Sequence, residues 1–160
     1  MSGGRGEEKT PISRKFFLLL AGLVVFIDQL TKILALTELT SGTSHPVVQN
    51  IFHLTLVENQ GIAFGLFQGA DKLLLIVITL SIGVLAMIGF RSRSLQLKTQ
   101  FAMGLILGGA IGNWIDRIRT GAVIDFLDFR IWPVFNLADT AITIGVGIFL
   151  LEFFPKRHVS

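Results

Sequence analysis

Two aspartates, Asp125 and Asp139, lie near the ends of apolar segments and are separated by thirteen intervening residues. Two carboxylates held close together cannot both ionise cheaply, so they share one proton. One then acts as a base on a water molecule, while the protonated partner polarises a carbonyl group. The side chains beside Asp125 are apolar and lower the local dielectric: Val123, Ile124, Phe126 and Leu127. The pair is therefore a candidate for peptide hydrolysis without a covalent intermediate.

Other polar residues recur at the three- or four-residue spacings that place side chains on one helix face. They are Asp28 with Lys32, Asn113 with Asp116 and Arg117, and Asn136 with Asp139. An ionised side chain at the centre of a membrane helix costs about 2.5–3.5 kcal/mol. Five such groups facing lipid would cost on the order of 10 kcal/mol, comparable with the stability of a whole protein. We expect them to face one another or a watered cleft.

The elements that must position these groups are membrane helices. The chain has 160 residues, of which 51% are hydrophobic and 16% charged, and its mean hydropathy is +0.69. This balance is too apolar for an ordinary soluble domain of this size. Four segments approach the length of about 20 residues that a bilayer crossing requires. The sequence thus predicts an all-α membrane protein with four transmembrane helices, over 16–36, 72–90, 101–118 and 133–154.

Basic residues set the predicted topology. They concentrate before the first segment, between the second and third, and after the fourth. By the positive-inside rule both termini are cytoplasmic, and 37–71 and 119–132 lie outside. We expect a disordered cytoplasmic N-terminus over 1–15, one four-helix domain over 16–154 and a cytoplasmic tail over 155–160. The first apolar run is long and contains charges, which favours an uncleaved span over a secretory signal.

Helix rise converts sequence position into depth. Asp28 and Asn113 each lie about 18 Å outward from the start of their segments, and Asp139 lies about 9 Å below the outer end of the fourth. Three helices thus place polar groups in one layer near the outer face, and the second supplies none. Small residues favour close packing of the third and fourth segments: Gly104, Gly108 and Gly112, with Ala138, Ala141 and Gly145. This approach would bring Asp125 beside Asp139.

The outer segments contain a predicted β element. Apolar and polar residues alternate over 49–57, and 122–131 is rich in strand-forming residues, which is typical of a small extramembrane sheet. Ser41, Gly42, Ser44 and Pro46 indicate a turn before it.

Several classes of site are excluded. Cysteine is absent, which rules out disulfides, thiolate metal sites and a cysteine nucleophile. The three histidines have no metal-ligand spacing with carboxylates, so we expect no metal and no cofactor. Residues 42–44 lack the following glycine and the setting of a serine nucleophile elbow. The net charge of +3 lies in the flanks of apolar segments and forms no stripe that would bind nucleic acid.

Five separated blocks resemble one family. They are 28–32 (DQLTK), 59–64 (NQGIAF), 108–117 (GGAIGNWIDR), 123–126 (VIDF) and 135–139 (FNLAD). In this order they resemble lipoprotein signal peptidase, or signal peptidase II, a family of aspartyl enzymes of the bacterial inner membrane. The family cleaves prolipoproteins just before a cysteine that carries a diacylglyceryl group. It is blocked by cyclic peptide antibiotics such as globomycin.

The resemblance implies a role for each matching residue. Asp125 and Asp139 match the catalytic pair. The residues that match the substrate groove are Asn59, Gly61, Asn113, Arg117 and Asn136. The supporting residues are Asp28, Lys32, Asp116, Gly108 and Gly112. The implied enzyme is surrounded by membrane lipid, has its active site near the outer face, and needs no more than a monomer.

Alternatives remain open at this level. Arg117 and Lys32 are also consistent with purely structural partners of Asp116 and Asp28, and Asn59 with Gly61 is consistent with an ordinary turn. The main alternative function is a small four-helix proton-coupled transporter, whose site should lie near the midplane and be reachable from both sides. The polar layer here is displaced to one face. A noncatalytic assembly factor explains the small residues but leaves the paired aspartates without a role.

Overall fold

Four long helices follow the apolar segments of the chain. None of them contains a proline, which would break a helix interior. The computed structural model describes residues 15–61, 71–91 and 96–153. Its helices are α1 (Lys15–Glu38), α2 (Asp71–Arg91), α3 (Leu97–Thr120) and α4 (Leu137–Phe153), and its strands are β1 (Ser44–Val48), β2 (Phe52–Asn59) and β3 (Val123–Asp128). Of the predicted N-terminal flank over 1–15, only Lys15 is described, as the first residue of α1, and the predicted tail over 155–160 lies outside the described residues.

The helices overlap all four predicted spans, but two of them start elsewhere, and α3 begins at Leu97, four residues before the predicted residue 101. The prediction that α4 begins at residue 133 is wrong, because it begins at Leu137. The preceding residues are extended: Phe135 donates its N–H to the carbonyl of Leu127 at 3.0 Å, and Leu127 donates back at 2.8 Å. By length and composition α1 and α2 could cross a membrane, over Phe16–Glu38 and Lys72–Arg91. The depth count from residue 133 therefore does not apply to α4.

The predicted β element is confirmed as a three-stranded antiparallel sheet in the order β1-β2-β3. Ser44 and Pro46 belong to β1, so the prediction of a turn at these two residues is wrong. Pro46 is tolerated because β1 is an edge strand with an irregular register at this point. The turn itself contains Gly42, with φ +78°. In the β2–β3 register Asn59 lies opposite Val123, two residues from Asp125.

The helix α3 is central and packs against α1, α2 and α4. One apolar core joins α1 and α3 and contains Phe17, Ala21, Met103 and Leu107. A second core joins the C-terminal end of α1 to the sheet and contains Ala35, Leu56, Ile124 and Phe126. This second core holds β3 against α1.

Glycines allow α3 to approach both neighbours closely. A Cβ at Gly108 would lie 2.6 Å from the Cβ of Val24 on α1, and a Cβ at Gly109 would lie 2.8 Å from Cγ1 of Ile142 on α4. The predicted close approach of α3 and α4 is thus confirmed, but Gly104 and Gly108 face α1 instead. Gly109, one residue further round the helix, provides the contact with α4.

Candidate active site

The strand β3, which follows α3 and precedes α4 in the chain, carries Asp125. Asp125 is only 1% exposed, and Nδ2 of Asn59 on β2 donates to its Oδ2 at 2.9 Å. Burial raises the pKa of the Asp125 carboxyl to about 7. The hydrogen bonds from Asn59 and Asn136 lower this pKa, and the charge of Asp139 raises it further. Asp125 therefore exchanges its proton near neutral pH.

Asp139 lies in the first turn of α4. Its backbone N–H donates to Oδ1 of Asn136 at 2.9 Å, and the N–H of Asn136 donates to Oδ2 of Asp139 at 3.2 Å. This reciprocal pair is a capping box at the helix N-terminus, where partial positive charge favours a carboxylate. The same Asn136 reaches the other aspartate, because its Nδ2 donates to Oδ1 of Asp125 at 2.7 Å. One asparagine thus joins the two carboxyl groups.

A second asparagine ties α3 to this pair. Nδ2 of Asn113 donates to Oδ1 of Asp139 at 2.8 Å. Oδ1 of Asn113 accepts from Nδ2 of Asn136 at 3.0 Å and from Nζ of Lys32 at 2.9 Å. The carboxyl pair is therefore held from α3 and α1 as well as from its own elements.

A buried ion cluster lies beneath the asparagines. Nζ of Lys32 is 2.9 Å from Oδ2 of Asp28 and 2.7 Å from Oδ2 of Asp116, and all three side chains are at most 7% exposed. Asp28 also accepts the backbone N–H of Ala138 at 3.0 Å, and Asp116 accepts that of Ile124 at 3.3 Å. The cluster thus fixes the start of α4 and the middle of β3. Of the five charged groups predicted to face one another or a cleft, Asp28, Lys32 and Asp116 do face one another, and Arg117 and Asp139 line a cavity.

A cavity of about 760 Å³ opens beside the carboxyl pair. Both aspartates line it, as do Asn59, Gly61, Asn113 and Arg117. Apolar side chains of α2 and α4 form another part of its wall: Leu74, Ile78 and Ile142. A cavity lined by a pair of carboxyl groups and by apolar side chains suits a substrate that has both a peptide bond and a hydrophobic part.

Arg117 holds the loop at the rim of the cavity. Its Nη2 donates to the carbonyl of Gly61 at 3.2 Å, and its Nη1 donates to the carbonyl of Asn113 at 3.3 Å. The N–H of Gly61 donates to Oδ1 of Asn59 at 3.0 Å, so the residues do form a turn. That turn aims the amide of Asn59 at Asp125.

Asn136 is the predicted groove residue that does not line the cavity. It is 0% exposed, and its amide is taken up by Asp125, Asn113 and the carbonyl of Ile124. Asn136 is buried behind the two carboxyl groups because it is the N-cap of α4. This position could not be recognised while the helix was predicted to begin at residue 133. Within the described ranges no group of three or more histidine, aspartate or glutamate side chains is arranged to hold a metal ion.

A family model for signal peptidase II, described as "Signal peptidase (SPase) II", matches residues 20–155. The chain belongs to the signal peptidase II family. This match covers the four helices and the sheet almost completely, and it includes every residue described at the site.

Curated relatives agree with this assignment. The chain is 41% identical over 138 residues to a lipoprotein signal peptidase of Halothermothrix orenii, covering 86% of this chain and 94% of the relative. It is 47% identical over 136 residues to one of Moorella thermoacetica, covering 82% and 88% respectively. Signal peptidase II is an aspartic-type peptidase family, so the chain is a peptidase. The transporter alternative has no support among these relatives.

Two solved structures share the fold. Both are described as bacterial membrane enzymes determined by the in meso method. For one of them the TM-score is 0.81 at 31% identity, and the match covers 91% of this chain and 95% of the other chain. The other has a TM-score of 0.80 at 32% identity, covering 89% and 94%. As a member of signal peptidase II, this chain is a membrane enzyme with apolar helices.

Two kinds of residue at the site escaped the sequence reasoning. Nε2 of Gln29 donates to Oδ1 of Asp116 at 2.9 Å and to the carbonyl of Gly112 at 3.2 Å. Its only sequence signal is its place between Asp28 and Lys32. The prediction that the second segment supplies no polar group omits Ser81, which lines the cavity, and Thr79. Serine and threonine lower the hydropathy of an apolar segment too little to be singled out, unlike charged residues.

Proposed function

We propose that this chain removes signal peptides from diacylglyceryl-modified prolipoproteins by cleaving before the lipidated cysteine. The observation that carries the proposal is the meeting of Asp125 and Asp139 at one cavity wall, joined through Asn136. The family assignment supplies the reaction class, and the curated relatives are named for lipoprotein processing. The apolar wall supports a lipid-bearing substrate, whose acyl chains would remain in the membrane.

The proposed reaction uses one proton shared by two carboxyls. The ionised aspartate takes a proton from water, and the resulting hydroxide adds to the scissile carbonyl carbon while the protonated aspartate donates to the carbonyl oxygen. The tetrahedral intermediate then collapses: the first aspartate gives the proton that it took from water to the leaving amine as the C–N bond breaks. The second aspartate takes a proton back from a hydroxyl of the intermediate, which restores the shared proton. We assign substrate contact to Asn59, Gly61, Asn113 and Arg117 at the cavity wall. We assign Asn136 to the same peptide groove through the two carboxyls it holds.

The decisive test measures cleavage of a diacylglyceryl-modified prolipoprotein by purified Asp125→Asn and Asp139→Asn variants. We expect each to lose turnover by about 10²–10⁴-fold, the usual contribution of a positioned acid or base. We expect activity to survive a strong chelator. A loss of activity that zinc restores would indicate a metal-dependent mechanism instead. Normal turnover by either folded aspartate variant would overturn the assignment.

The matched control is Asp128→Asn on the same strand. Burial of the Asp128 carboxyl opposes ionisation, but hydrogen bonds from Arg130 and Thr55 hold its pKa below the usual value. Asp128 is three residues from Asp125, which places it on the opposite face of β3. Its side chain contacts Thr55 at 2.8 Å and Arg130 at 3.0 Å and does not line the cavity. We expect turnover close to wild type.

We further propose that all four helices span the bacterial inner membrane as one domain over 16–154, with cytoplasmic termini and the cavity at the outer face. Basic residues flanking the inner ends support this orientation. The enzyme would act as a monomer within membrane lipid and would be inhibited by globomycin-type cyclic peptides. In this arrangement the scissile bond of a membrane-anchored substrate lies at the depth of the aspartates.

Cysteine labelling tests the orientation, because the chain contains no cysteine of its own. Ser41 lies in the outer turn and Lys98 at the inner end of α3, and both are exposed. A membrane-impermeant maleimide should label Ser41→Cys in intact spheroplasts, and Lys98→Cys only after permeabilisation. The reverse pattern would invert the proposed topology.

A further inference from the structure

Lys32 is a buried ammonium group whose three donors are all in use. It is 2% exposed, and its Nζ contacts Oδ2 of Asp28, Oδ2 of Asp116 and Oδ1 of Asn113 at 2.7–2.9 Å. An ammonium group has three N–H donors and no acceptor. The atom of Asn113 that faces Lys32 must therefore be its oxygen. Charge compensation of the two aspartates would not by itself require this third contact.

The orientation of Asn113 determines what Asp139 receives. With its oxygen turned to Lys32, Asn113 must direct its NH₂ group to Asp139, and Nδ2 donates to Oδ1 there at 2.8 Å. Asn136 is oriented in the same manner by the backbone N–H of Asp139, which donates to its Oδ1 at 2.9 Å. Each amide is thus held by a group that can only donate.

The two carboxyls consequently differ in their surroundings. Asp139 receives the amide of Asn113 and the backbone N–H of Asn136, and it lies at a helix N-terminus. These features favour the negative charge. Asp125 also accepts two amide N–H groups, from Asn59 at 2.9 Å and from Asn136 at 2.7 Å. However, it lies on a strand and is 1% exposed, whereas Asp139 is partly exposed. The deeper burial of Asp125 favours its neutral form.

We propose that Lys32 is a positioning residue of the peptidase, which acts through Asn113 to keep Asp139 as the ionised base while Asp125 holds the shared proton. Lys32 does not line the cavity, so it acts without touching the substrate. The inference rests on the proposed carboxyl pair and deepens it by assigning the two roles.

Other charged groups near the pair come from each neighbouring element. Arg117 of α3 and Glu58 of β2 line the same cavity, and Asp28 of α1 and Asp116 of α3 pair with Lys32. The cavity wall from α2 contributes Leu74, Ile78 and Ser81, which carry no charge. A test must therefore remove the contact between Lys32 and Asn113 while keeping the charge of the cluster constant.

The double variant Lys32→Gln with Asp28→Asn meets this condition, because it removes one positive and one negative charge. A glutamine at position 32 lacks the ammonium donor, so Oδ1 of Asn113 keeps only the contact from Nδ2 of Asn136 and the amide of Asn113 is held less firmly against Asp139. We expect kcat to fall about a hundredfold, as for a misplaced catalytic group, with KM within about twofold. The acid limb of the pH–rate profile should move up by about one pH unit, because the charged form of the carboxyl pair loses a hydrogen-bond donor.

The control is Asp28→Asn alone, which keeps the contacts of Lys32 with Asn113 and Asp116. It should retain the wild-type acid limb even if its melting temperature falls. A wild-type acid limb in the folded double variant would overturn the proposal and leave Lys32 as a charge partner only. If the double variant does not fold, Asn113→Ala replaces it, since it removes the relay but keeps both ion pairs. The same upward movement is expected there, and its absence would equally overturn the proposal.

The outcome is separable from that of the proposed function. Normal turnover by Asp139→Asn would overturn the carboxyl pair itself. An inactive Asp139→Asn variant together with an unmoved acid limb in the Lys32 and Asn113 variants would overturn only the role of Lys32.

Discussion

The two sides of the cavity are built differently. On the side formed by α1, α3 and α4, buried charges contact one another and α3 glycines leave no room for added atoms. On the other side, α2 packs against α3 through Ile82 and Leu85 and through one hydrogen bond from Trp114 to Thr79. In the apolar stretch of α2, 6% of the residues are buried, against 22% of the residues in the apolar stretch of α1. We call these the closed side and the open side.

The difference separates two requirements of a membrane peptidase. A proton shared by two carboxyls needs fixed distances, and the closed side supplies them through asparagines that each contact several groups. A substrate with variable sequence and flexible acyl chains needs a wall that can adjust. The sparse packing of α2 suits that second need. Substitutions on the closed side should therefore affect stability and kcat, and substitutions on the open side should affect substrate binding.

The largest expected difference is between two glycine-to-alanine variants, one on the closed side and one on the open side, each of which adds a single methyl group. In Gly112→Ala the new Cβ would collide with Oδ2 of Asp28 and displace it from Lys32. Disrupting a buried ion pair costs about 3–5 kcal/mol, so we expect little folded, active enzyme. At Gly83 on α2, a Cβ would meet nothing within 4 Å. Gly83→Ala should be neutral or stabilising by about 0.5–1 kcal/mol, because glycine weakens a helix interior.

Thermal melting in detergent, with turnover of a lipidated substrate, measures both variants. Equal melting temperatures for Gly112→Ala and Gly83→Ala would mean that the closed side can relax around a methyl group, and the distinction between the sides would fail.

The next effect concerns the charge state of the closed side. The pKa of Asp125 is raised to about 7 by burial, so its proton is lost as pH rises through that value. The reaction needs one proton on the pair, and turnover should therefore fall about tenfold per unit well above pH 7. The pH dependence of kcat for wild type measures this. Turnover that stays constant to pH 9 would place the working proton elsewhere.

The same pKa has a consequence for stability whose sign is opposite to that of most aspartates. Between pH 3.8, the ordinary pKa of an aspartate, and about pH 7, the folded protein binds a proton at Asp125 that the unfolded chain does not. Raising pH through this window therefore lowers the free energy of unfolding, by up to about 1.4 kcal/mol per unit. In Asp125→Asn this contribution should disappear. An unchanged slope in melting temperature against pH would contradict the buried carboxyl.

The sequence predicts the closed side better than the open side. The cost of membrane charge indicates that Asp28, Lys32 and Asp116 must face one another, and the structure confirms that they do. Glycine spacing predicts close packing of α3, but spacing alone does not say which neighbour each glycine faces. Gly108 meets Val24 of α1, and the approach to α4 depends on Gly109.

The start of α4 could not be predicted because it depends on a tertiary contact. Hydropathy continues through residues 133–136, yet Phe135 pairs with Leu127 of β3 and so leaves Asn136 as the helix cap. The pairing of Asn59 with Asp125 likewise arises from strand register, which follows from the sheet as a whole. The helix α2 has apolar residues on every face, so its sequence does not show which of them line the cavity.

The smallest expected effect lies on the open side. Nε1 of Trp114 on α3 donates to Oγ1 of Thr79 on α2 at 2.9 Å. Thr79→Val removes the acceptor with little change in volume, and interhelical hydrogen bonds in membranes contribute about 0.6 kcal/mol on average. Because α2 forms the cavity wall and contacts neither aspartate, we expect KM to rise by about threefold at most, with kcat unchanged. Thr79→Ser keeps the hydroxyl and should behave as wild type. A fall in kcat at constant KM would show that motion of α2 reaches the carboxyl pair, and the open side would then have to be counted as part of the catalytic framework.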